Sequence, residues 1–205
     1  MTPPARETTD SPLVVVLTGP SGVGKDAVLD RAAERGFPVV RPPTMTTRAP
    51  RQGEEDGVHH HFATRDQFLA HVQAGELLEH AEVYGNLYGV PRRSVRDALE
   101  SGGHVVVRVD VQGAESLRRV LPDALFVSLE PTSMDALRAH LESRASETPE
   151  QIARRLAIAE DEVQRARQFC VALVNLEGDL DGTVDALMSL IATEQAREGR
   201  TPVRV

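Results

Sequence analysis

The sequence predicts a three-layer α/β fold, in which helices cover both faces of a parallel β-sheet. Two short, mainly apolar segments, residues 13–18 and 105–111, are typical of strands buried within a parallel sheet. Segments with helical periodicity alternate with these and other strand candidates. A glycine-rich turn, residues 19–25, joins the first apolar run directly to a helix. These observations predict strand–helix–strand units, whose crossovers place helices on the faces of the sheet.

The individual elements are predicted from periodicity, caps and turns. Strands are expected at residues 13–18, 37–41, 77–84, 87–90, 105–111, 125–130 and 171–175. Helices are expected at residues 26–35, 64–74, 94–101, 112–121, 132–143, 148–169 and 184–193. Two helices begin with a capping-box pattern, in which Thr64 pairs with Gln67 and Thr148 with Gln151. The second of these also has Pro149 at its first position and apolar residues at helical spacing, which predict one buried face.

Residues 43–90 interrupt the alternation and are predicted to form an inserted subdomain. The stretch 42–57 is rich in Pro, Thr, Arg, Gly and acidic residues without a clear period, which is typical of a functional loop or part of a small subdomain. The core is then expected to consist of residues 13–42 and 91–195. A disordered tail is expected at residues 1–12, and a polar, frayed tail at residues 196–205.

Composition excludes several classes of protein. Of the 205 residues, 40% are hydrophobic and 26% are charged, as in ordinary globular domains. No apolar run approaches the roughly 18 residues of a membrane span, and residues 1–12 lack the apolar stretch of a secretory signal. The single cysteine, Cys170, fits a reducing compartment and is expected to be a small buried hydrophobe. With no secretory signal we expect a cytoplasmic protein that does not bind a membrane, and the net charge of −8 argues against a nucleic-acid-binding face.

The turn at residues 19–25 fits the phosphate-binding pattern GxxxxGK. It lies between an apolar strand and a helix, which is the context that the pattern requires. Its glycines let backbone N–H groups surround phosphate oxygens, and the helix N-terminus adds partial positive charge. Lys25 is the one lysine among 23 basic residues, so a compact ammonium stands where arginine fills every other basic position. The residues expected to bind ATP here are Gly19, Pro20, Ser21, Gly22, Val23, Gly24, Lys25 and Asp26.

Asp26 departs from the usual pattern, in which a serine or threonine follows the lysine and holds Mg²⁺. A carboxylate can also bind Mg²⁺, directly or through water. Alternatively, Asp26 is an acidic first-turn residue that complements the helix dipole. As a magnesium ligand it would make nucleotide binding strongly metal-dependent, because without metal it repels phosphates.

Arg108 and Asp110 close the second apolar run and are expected on one face of its strand. Charges in a strand of valines are costly unless that end opens on a polar site, and ligands bind at the carboxyl ends of parallel strands. Asp110 is therefore a candidate to orient Mg²⁺ or its waters. A structural Arg–Asp pair is the alternative.

Further motifs lie outside this loop. Residues 44–57 read TMTTRAPRQGEEDG, residues 84–89 read YGNLYG and residues 109–114 read VDVQGA. With GPSGVGK, Glu79 and Val174-Asn175, they resemble the guanylate kinase family over roughly residues 13–191. The resemblance implies a P-loop NTPase fold with a nucleoside-monophosphate-binding insertion at residues 43–90 and a helical lid at about residues 138–155. It also implies Mg²⁺-assisted phosphoryl transfer from ATP to GMP, and to dGMP; a monomer or a homodimer is expected.

The resemblance implies roles for individual residues. The GMP phosphate would be bound by Arg48, Arg51, His60 and Tyr88, and Thr44 and Glu79 would read the guanine edge, with Arg108 and Asp110 beside them. The transferring group would be surrounded by Lys25, Arg48, Arg144 and Arg155, the metal held near Asp26 and Asp110, and adenine contacted by Asn175. Taken alone, Arg48 and Arg51 could instead form a solvated basic loop, and Glu79 could be an exposed strand acid. Thr44, Tyr88 and Asn175 could equally be structural.

Three positions depart from the family pattern. His60 replaces a tyrosine, Arg108 stands where many members carry a second guanine-reading aspartate, and His140 replaces a lid arginine. A cation cannot accept hydrogen bonds from guanine, so base recognition would rest largely on Glu79. A branch of the family that includes plant organellar members carries the Asp26 and Arg108 residue types together, which suggests that the two are electrostatically coupled.

Two other functions and one other site fit parts of the sequence. Ribose 1,5-bisphosphate phosphokinases share the GKD form of the loop but lack the TTRAPRQGEEDG block. A non-catalytic guanylate-kinase-like binding module usually loses the phosphate loop, which is intact here. The run His59-His60-His61 suggests a metal site, but no cysteine or nearby acid completes a tetrahedral set, which favours polar residues beside a phosphate site.

Overall fold

A computed structural model gives the positions of residues 11–83, 85–143 and 148–205, in which nine strands and seven helices are found. The strands are β1 (Val14–Thr18), β2 (Val39–Val40), β3 (Thr44–Thr46), β4 (His60–Phe62), β5 (Leu77–Val83), β6 (Asn86–Pro91), β7 (His104–Arg108), β8 (Leu125–Pro131) and β9 (Val171–Asn175). The helices are α1 (Lys25–Glu34), α2 (Arg65–Gln73), α3 (Arg92–Glu100), α4 (Val111–Val120), α5 (Met134–Ser143), α6 (Pro149–Ala166) and α7 (Leu180–Gln195). Most of the expected N-terminal tail, Tyr84 and Arg144 lie outside the described residues.

The central sheet has five parallel strands in the order β2–β7–β1–β8–β9. β1 lies in the middle and is buried along its whole length. Alternate residues of β1 face opposite layers. Val15 and Leu17 pack in a cluster with α1 and α7, whereas Val14 and Val16 pack with α3 and α4. This arrangement confirms the predicted three-layer α/β fold and brings the carboxyl ends of the strands to one edge of the sheet.

The block that interrupts the alternation forms a second sheet, in the order β4–β3–β6–β5. β3 runs parallel to β4 and antiparallel to β6, and β5 runs antiparallel to β6. Helix α2 covers this sheet through Phe68, which is fully buried and shares a small core with Met45, Leu77 and Leu87. The inserted block therefore has its own mixed sheet and its own apolar core.

Both predicted capping boxes are present. The Thr64 hydroxyl accepts from the Gln67 N–H at 3.3 Å, and the Thr148 hydroxyl accepts from the Gln151 N–H at 3.4 Å. In each box the glutamine side chain accepts in return from the N–H of the cap residue at 2.8 Å. Helix α6 buries the predicted face, formed by Ile152, Leu156, Ala159, Val163 and Ala166. None of the described helices, α6 included, is long and apolar enough to cross a membrane.

Helices α4 and α7 begin earlier than periodicity predicts, and an aspartate caps each of them. Asp110 accepts from the Gly113 N–H at 2.8 Å, so α4 begins at Val111 and β7 ends at Arg108. Asp179 accepts from the Gly182 N–H at 2.9 Å, so α7 begins at Leu180 rather than at residue 184. The sequence suggested that Arg108 and Asp110 share one strand face, and this prediction was wrong. Asp110 lies beyond the strand and is the N-cap of the following helix.

The segment 196–205 is not the frayed tail that its polar composition predicts. Arg200 is 6% exposed, and its Nη2 donates to the Ser11 carbonyl at 2.9 Å and to the Ser11 hydroxyl at 2.7 Å. Val203 and Val205 pack against the core cluster beside α3. The prediction of fraying was wrong because two separated valines and one arginine are enough to fasten this segment to the core.

Cys170 follows α6 and packs, partly buried, against the same core cluster as Phe169. Burial raises the pKa of its thiol to about 12. The residue acts as a small packing group, though it is less deeply buried than the sequence suggested.

Candidate active site

A cavity of about 770 Å³ is lined by residues of both sheets. From the phosphate-loop side it receives Gly19, Ser21, Gly22, Gly24, Lys25 and Asp26, and from the second sheet and its loops it receives Thr44, Arg51, His60, Glu79 and Tyr88. Arg108, Asp110, Arg155 and Glu162 also line the cavity. The residues that follow β1 and end β7 thus face one cavity, as expected for a ligand site at the carboxyl edge of an open α/β sheet.

Glycine is required at the start of the phosphate loop. Gly19 has a φ of +136°, and a Cβ at this position would lie 2.2 Å from the Leu129 carbonyl oxygen. Gly24 has a φ of +96° and directly precedes α1, which begins at Lys25. The N–H groups of the first turn of a helix have no intrahelical partner, so they are available to phosphate oxygens at this loop.

Asn175 supports the phosphate loop from behind. Its Nδ2 donates to the Val23 carbonyl at 2.8 Å, and its Oδ1 accepts from the Thr183 hydroxyl at 3.0 Å. The side chain of Asn175 is therefore engaged with the loop backbone and does not line the cavity. In the structure Asn175 holds the loop, and the adenine contact that the resemblance implies for this residue stays a prediction.

The side chain of Lys25 folds back onto the backbone at the start of the phosphate loop. Its Nζ donates to the carbonyls of Gly19 and Pro20, the latter at 3.1 Å. Burial, and then the positive charge of Arg108, lower the pKa of Lys25 to about 8. The ammonium is therefore poorly solvated and close to losing its proton, so an arriving phosphate would replace missing solvation as well as bring opposite charge.

Glu79 lies on β5 at the other side of the cavity and is 8% exposed. Burial, and then the charge of Asp110, raise the pKa of Glu79 to about 8. Within the described part of the chain, no hydrogen bond or ion pair to its carboxylate is found. An ordinary exposed strand acid would not be buried in this way, so the alternative interpretation of Glu79 is wrong.

Thr44 and His60 face each other across β3 and β4. The Thr44 hydroxyl and the His60 Nδ1 are 2.7 Å apart and share a hydrogen bond. Burial, and then the charge of Arg48, lower the pKa of His60. The three consecutive histidines have three different partners, because His59 Nδ1 accepts from the Glu55 N–H and His61 Nε2 lies 3.4 Å from the Ser94 hydroxyl.

Arg48 and Arg51 are organised by one carboxylate. Glu54 accepts two hydrogen bonds from the Arg48 guanidinium, both at 2.9 Å, and one from the Arg51 N–H at 2.7 Å. These bonds, with the Arg48 contribution the largest, lower the pKa of Glu54 to about 2. Arg51 lines the cavity, whereas Arg48 is not part of its wall. The loop is ordered rather than a solvated basic loop.

Asp26 and Arg108 are joined by an ion pair. Arg108 Nη1 donates to Asp26 Oδ1 and thereby connects the end of β7 to the first turn of α1. This contact agrees with the coupling that the sequence suggested for the two residues. Asp110, the other candidate metal ligand, has one oxygen engaged with the Gly113 N–H.

Helix α6 brings two further charges to the cavity. Arg155 Nη2 donates to the Ser21 hydroxyl at 2.7 Å, so this predicted residue does meet the phosphate loop. Glu162, which sequence reasoning missed, lines the same cavity, and burial raises its pKa. Its signal was available, because Glu162 follows Arg155 by two helical turns and so shares its face. Arg144 lies outside the described residues.

The fold and the site together define a P-loop phosphotransferase: a glycine-rich loop that binds phosphate, and basic side chains of the second sheet and its loops in the same cavity. Comparison with known proteins gives the family. The sequence profile of the guanylate kinase family matches residues 11–194. The chain belongs to this family.

Individual relatives agree. The guanylate kinase of Nocardia farcinica is 45% identical over 186 residues, which cover 90% of this chain and 95% of that protein. The guanylate kinase 2, chloroplastic/mitochondrial, of rice (Oryza sativa) is 40% identical over 195 residues, or 95% of this chain and 68% of that protein. The crystal structure of guanylate kinase from Anaplasma phagocytophilum superposes with a TM-score of 0.72 at 30% identity, covering 93% of this chain and 90% of that one.

Proposed function

We propose that this guanylate kinase, which phosphorylates GMP to GDP with ATP, does so by direct in-line transfer between two nucleotides bound in the one cavity. The observation that carries the proposal is the shared cavity. Lys25 at the phosphate loop and buried Glu79 on the second sheet line opposite sides of it. An ATP whose triphosphate lies at the loop and a GMP whose base lies at Glu79 would then point their phosphates toward each other.

On the donor side, the loop backbone, the start of α1 and Lys25 bind the ATP phosphates. Displacing the Gly19 and Pro20 carbonyls from Lys25 frees its ammonium for the β- and γ-phosphates. Asn175 keeps the loop backbone in the receptive shape through its bond to Val23. Transfer depends on this positioning because phosphoryl transfer demands little covalent chemistry from the protein.

On the acceptor side, Glu79 in its charged form accepts from N1–H and the exocyclic amine of guanine, and the Thr44 hydroxyl donates to O6. The GMP phosphate is bound by Arg51, His60 and Tyr88, all of which line the cavity. Arg48 contributes after its guanidinium is shared between Glu54 and the phosphate. The phosphate dianion is itself the nucleophile, so no protein general base is needed.

Arg155 and Arg144 stabilise the charge that develops on the transferring group. Arg155 already reaches the loop through Ser21. Residues at about 138–155 form the lid, and closure of this lid and of the insertion excludes water from the phosphates.

Magnesium fits the residues present, provided that it arrives with the nucleotide. Among the described residues, no group of three or more His, Cys, Asp or Glu could hold a metal ion on its own. Mg²⁺ typically needs only one or two carboxylates besides phosphates and waters. Asp26 and Asp110 line the cavity and would hold it there. Bound Mg²⁺ would neutralise charge on the β- and γ-phosphates.

The test is ADP release from Mg·ATP measured in parallel with GMP, dGMP, AMP, UMP, CMP and ribose 1,5-bisphosphate. We expect GMP to be a clearly better acceptor than AMP, UMP, CMP and the sugar bisphosphate, with dGMP close to GMP, since no proposed contact involves the 2′-hydroxyl. Activity on the sugar bisphosphate alone would overturn the proposal, as would equal rates with GMP and AMP.

A further inference from the structure

The ion pair between Asp26 and Arg108 lies between the two halves of the cavity. Arg108 is the last residue of β7, and Asp26 is the second residue of α1, directly after Lys25. Leu17 of β1 pairs with Arg108 in the parallel register, so the phosphate loop begins at the level of Arg108. Both charged side chains line the cavity.

The charge of Arg108 acts on both halves. After burial, it is the next cause that lowers the pKa of Lys25 on the donor side. It also contributes, after burial and Arg48, to the lowered pKa of His60 on the acceptor side. One guanidinium is therefore close enough to influence a residue in each nucleotide pocket.

Each residue of this ion pair can readily exchange its partner for another ligand. The side chains of Arg108 and Asp26 remain 37% and 62% exposed. Ion pairs with this exposure contribute little to stability, because water competes for both partners. A phosphate dianion or a divalent cation offers each partner a stronger interaction than the other partner does.

Each residue of the pair could also bind a nucleotide-derived ligand, a cation for Asp26 and a phosphate for Arg108. Asp26 stands beside Lys25 at the phosphate loop, where a magnesium-bound triphosphate supplies a cation to its carboxylate. Arg108 lines the same cavity as Arg51, His60 and Tyr88, where an acceptor phosphate would bind. Without the donor nucleotide, Asp26 holds Arg108 at the loop.

We propose that the Asp26–Arg108 pair is an exchangeable link that couples the two nucleotide sites. When a magnesium-bound donor occupies the loop, Asp26 turns to the cation and Arg108 is released to the acceptor phosphate, which raises GMP affinity. This inference rests on the proposed function, and it adds that donor and acceptor bind synergistically through this pair.

The test is the GMP dissociation constant, measured by calorimetry with and without a saturating, non-hydrolysable ATP analogue and magnesium. For the wild type we expect the donor analogue to tighten GMP binding at least about fivefold, the lower end of typical coupling between sites. Asp26→Asn keeps the side-chain shape but releases Arg108. We expect it to bind GMP without donor as tightly as the wild type does with donor, and to lose the coupling.

Arg108→Gln should bind GMP weakly with or without donor, and Asp26→Asn/Arg108→Gln should behave like Arg108→Gln. Asp181→Asn is the matched control, because Asp181 pairs with Arg31 of α1 at similar exposure, 54% and 39%, outside the cavity. It should keep wild-type coupling. Circular dichroism and a titration of the donor analogue establish that each variant is folded and saturated.

The proposal is overturned if the wild type shows no coupling, if Asp26→Asn retains it, or if Asp26→Asn weakens GMP binding. These results are distinct from failure of the proposed function. A wild type that phosphorylates GMP but keeps its coupling in Asp26→Asn refutes only the link, whereas a wild type that neither binds nor phosphorylates GMP refutes the function.

Discussion

The phosphate loop and the second sheet line opposite sides of one cavity, yet they are built differently. The loop is a run of consecutive residues whose shape depends on glycine backbones, such as Gly19 packed against the Leu129 carbonyl. The second sheet instead contributes one polar side chain from each strand: Thr44 from β3, His60 from β4, Glu79 from β5 and Tyr88 from β6. Donor recognition is thus local and backbone-based, whereas acceptor recognition depends on strand pairing and on side-chain charge.

Burial shifts the pKa values of the two sides in opposite directions. Burial lowers the pKa of a cation, Lys25, on the donor side and raises the pKa of an anion, Glu79, on the acceptor side, in each case to about 8. Desolvation destabilises the charged form of each group until a ligand of complementary character arrives. The comparison shows that desolvation alone can favour binding of a polyanion on one side of a cavity and of a base edge on the other.

The largest effect is expected from Lys25→Met, which removes the donor-side cation but keeps much of the side-chain volume. We expect kcat/KM for ATP to fall by at least about 10²–10³-fold, the usual cost of losing one charge that stabilises a transition state. The fold should not lose stability, because the buried ammonium is unfavourable in the absence of phosphate. Steady-state kinetics and thermal melting check both points, with Arg93→Met, at an 89% exposed position, as the control. Retained turnover would contradict the donor half of the comparison.

The second effect is on base choice, through Glu79→Gln on the acceptor side. Gln has the same shape but cannot accept from both guanine N–H groups as a carboxylate does. We expect the ratio of kcat/KM for GMP over AMP to fall about 10- to 100-fold, the equivalent of one charged hydrogen bond. Glu82→Gln, on the same strand but exposed, should leave the ratio unchanged. An unaltered ratio in Glu79→Gln would show that the base is read elsewhere.

The third prediction separates the two sides by pH. Lys25 is charged below its pKa of about 8 and neutral above it, so ATP binding should weaken as pH rises past that value. Glu79 is protonated below its pKa of about 8 and charged above it, so binding of the guanine base should strengthen as pH rises toward that value. Each slope should approach, at most, about tenfold per pH unit, the limit for one proton.

Calorimetry with ATP and, separately, with guanosine provides the measurement, because guanosine has no phosphate whose titration would mask that of Glu79. In Glu79→Gln the rise in guanosine affinity should disappear while the fall in ATP affinity stays. Slopes of the same sign for both ligands in the wild type would be incompatible with the opposite roles assigned to the two sides.

The smallest effect is expected from Glu162→Gln. The negative charge of Glu162 raises the pKa of Lys25, against the lowering by burial and Arg108. Its removal should lower the Lys25 pKa further, so the loss of ATP affinity should begin at lower pH. The loss at pH 8 should stay below about tenfold. Glu160→Gln, on the exposed side of α6, is the control, and an unshifted pH profile in Glu162→Gln would remove Glu162 from the donor site.

The same contrast between local and distributed features decided what the sequence could reveal. Some features depend only on residues that are close together in the sequence, and the structure contains each of them. They are the phosphate loop, the capping boxes at Thr64 and Thr148, and the buried face of α6. Local patterns are sufficient there because backbone geometry is determined within a few residues.

Features that depend on distant segments were less accessible. The role of Glu54 in ordering Arg48 and Arg51 requires the folded loop, and the arrival of Glu162 at the cavity requires the angle at which α6 packs. The roles first suggested for Thr44 and Glu79 came from resemblance, because no local pattern shows which strand will lie opposite a phosphate loop.

The low reactivity of the Cys170 thiol has a practical consequence for measuring motion in this protein. With a pKa of about 12, it is almost entirely protonated at neutral pH, and a protonated, partly buried thiol reacts slowly with maleimides. Cysteines introduced at exposed positions, such as Val58 on the insertion and Ile158 on α6, should therefore take up fluorophores selectively without removal of the native residue. Energy transfer between such a pair would report, in real time, how far the two parts of the enzyme approach each other as nucleotides bind.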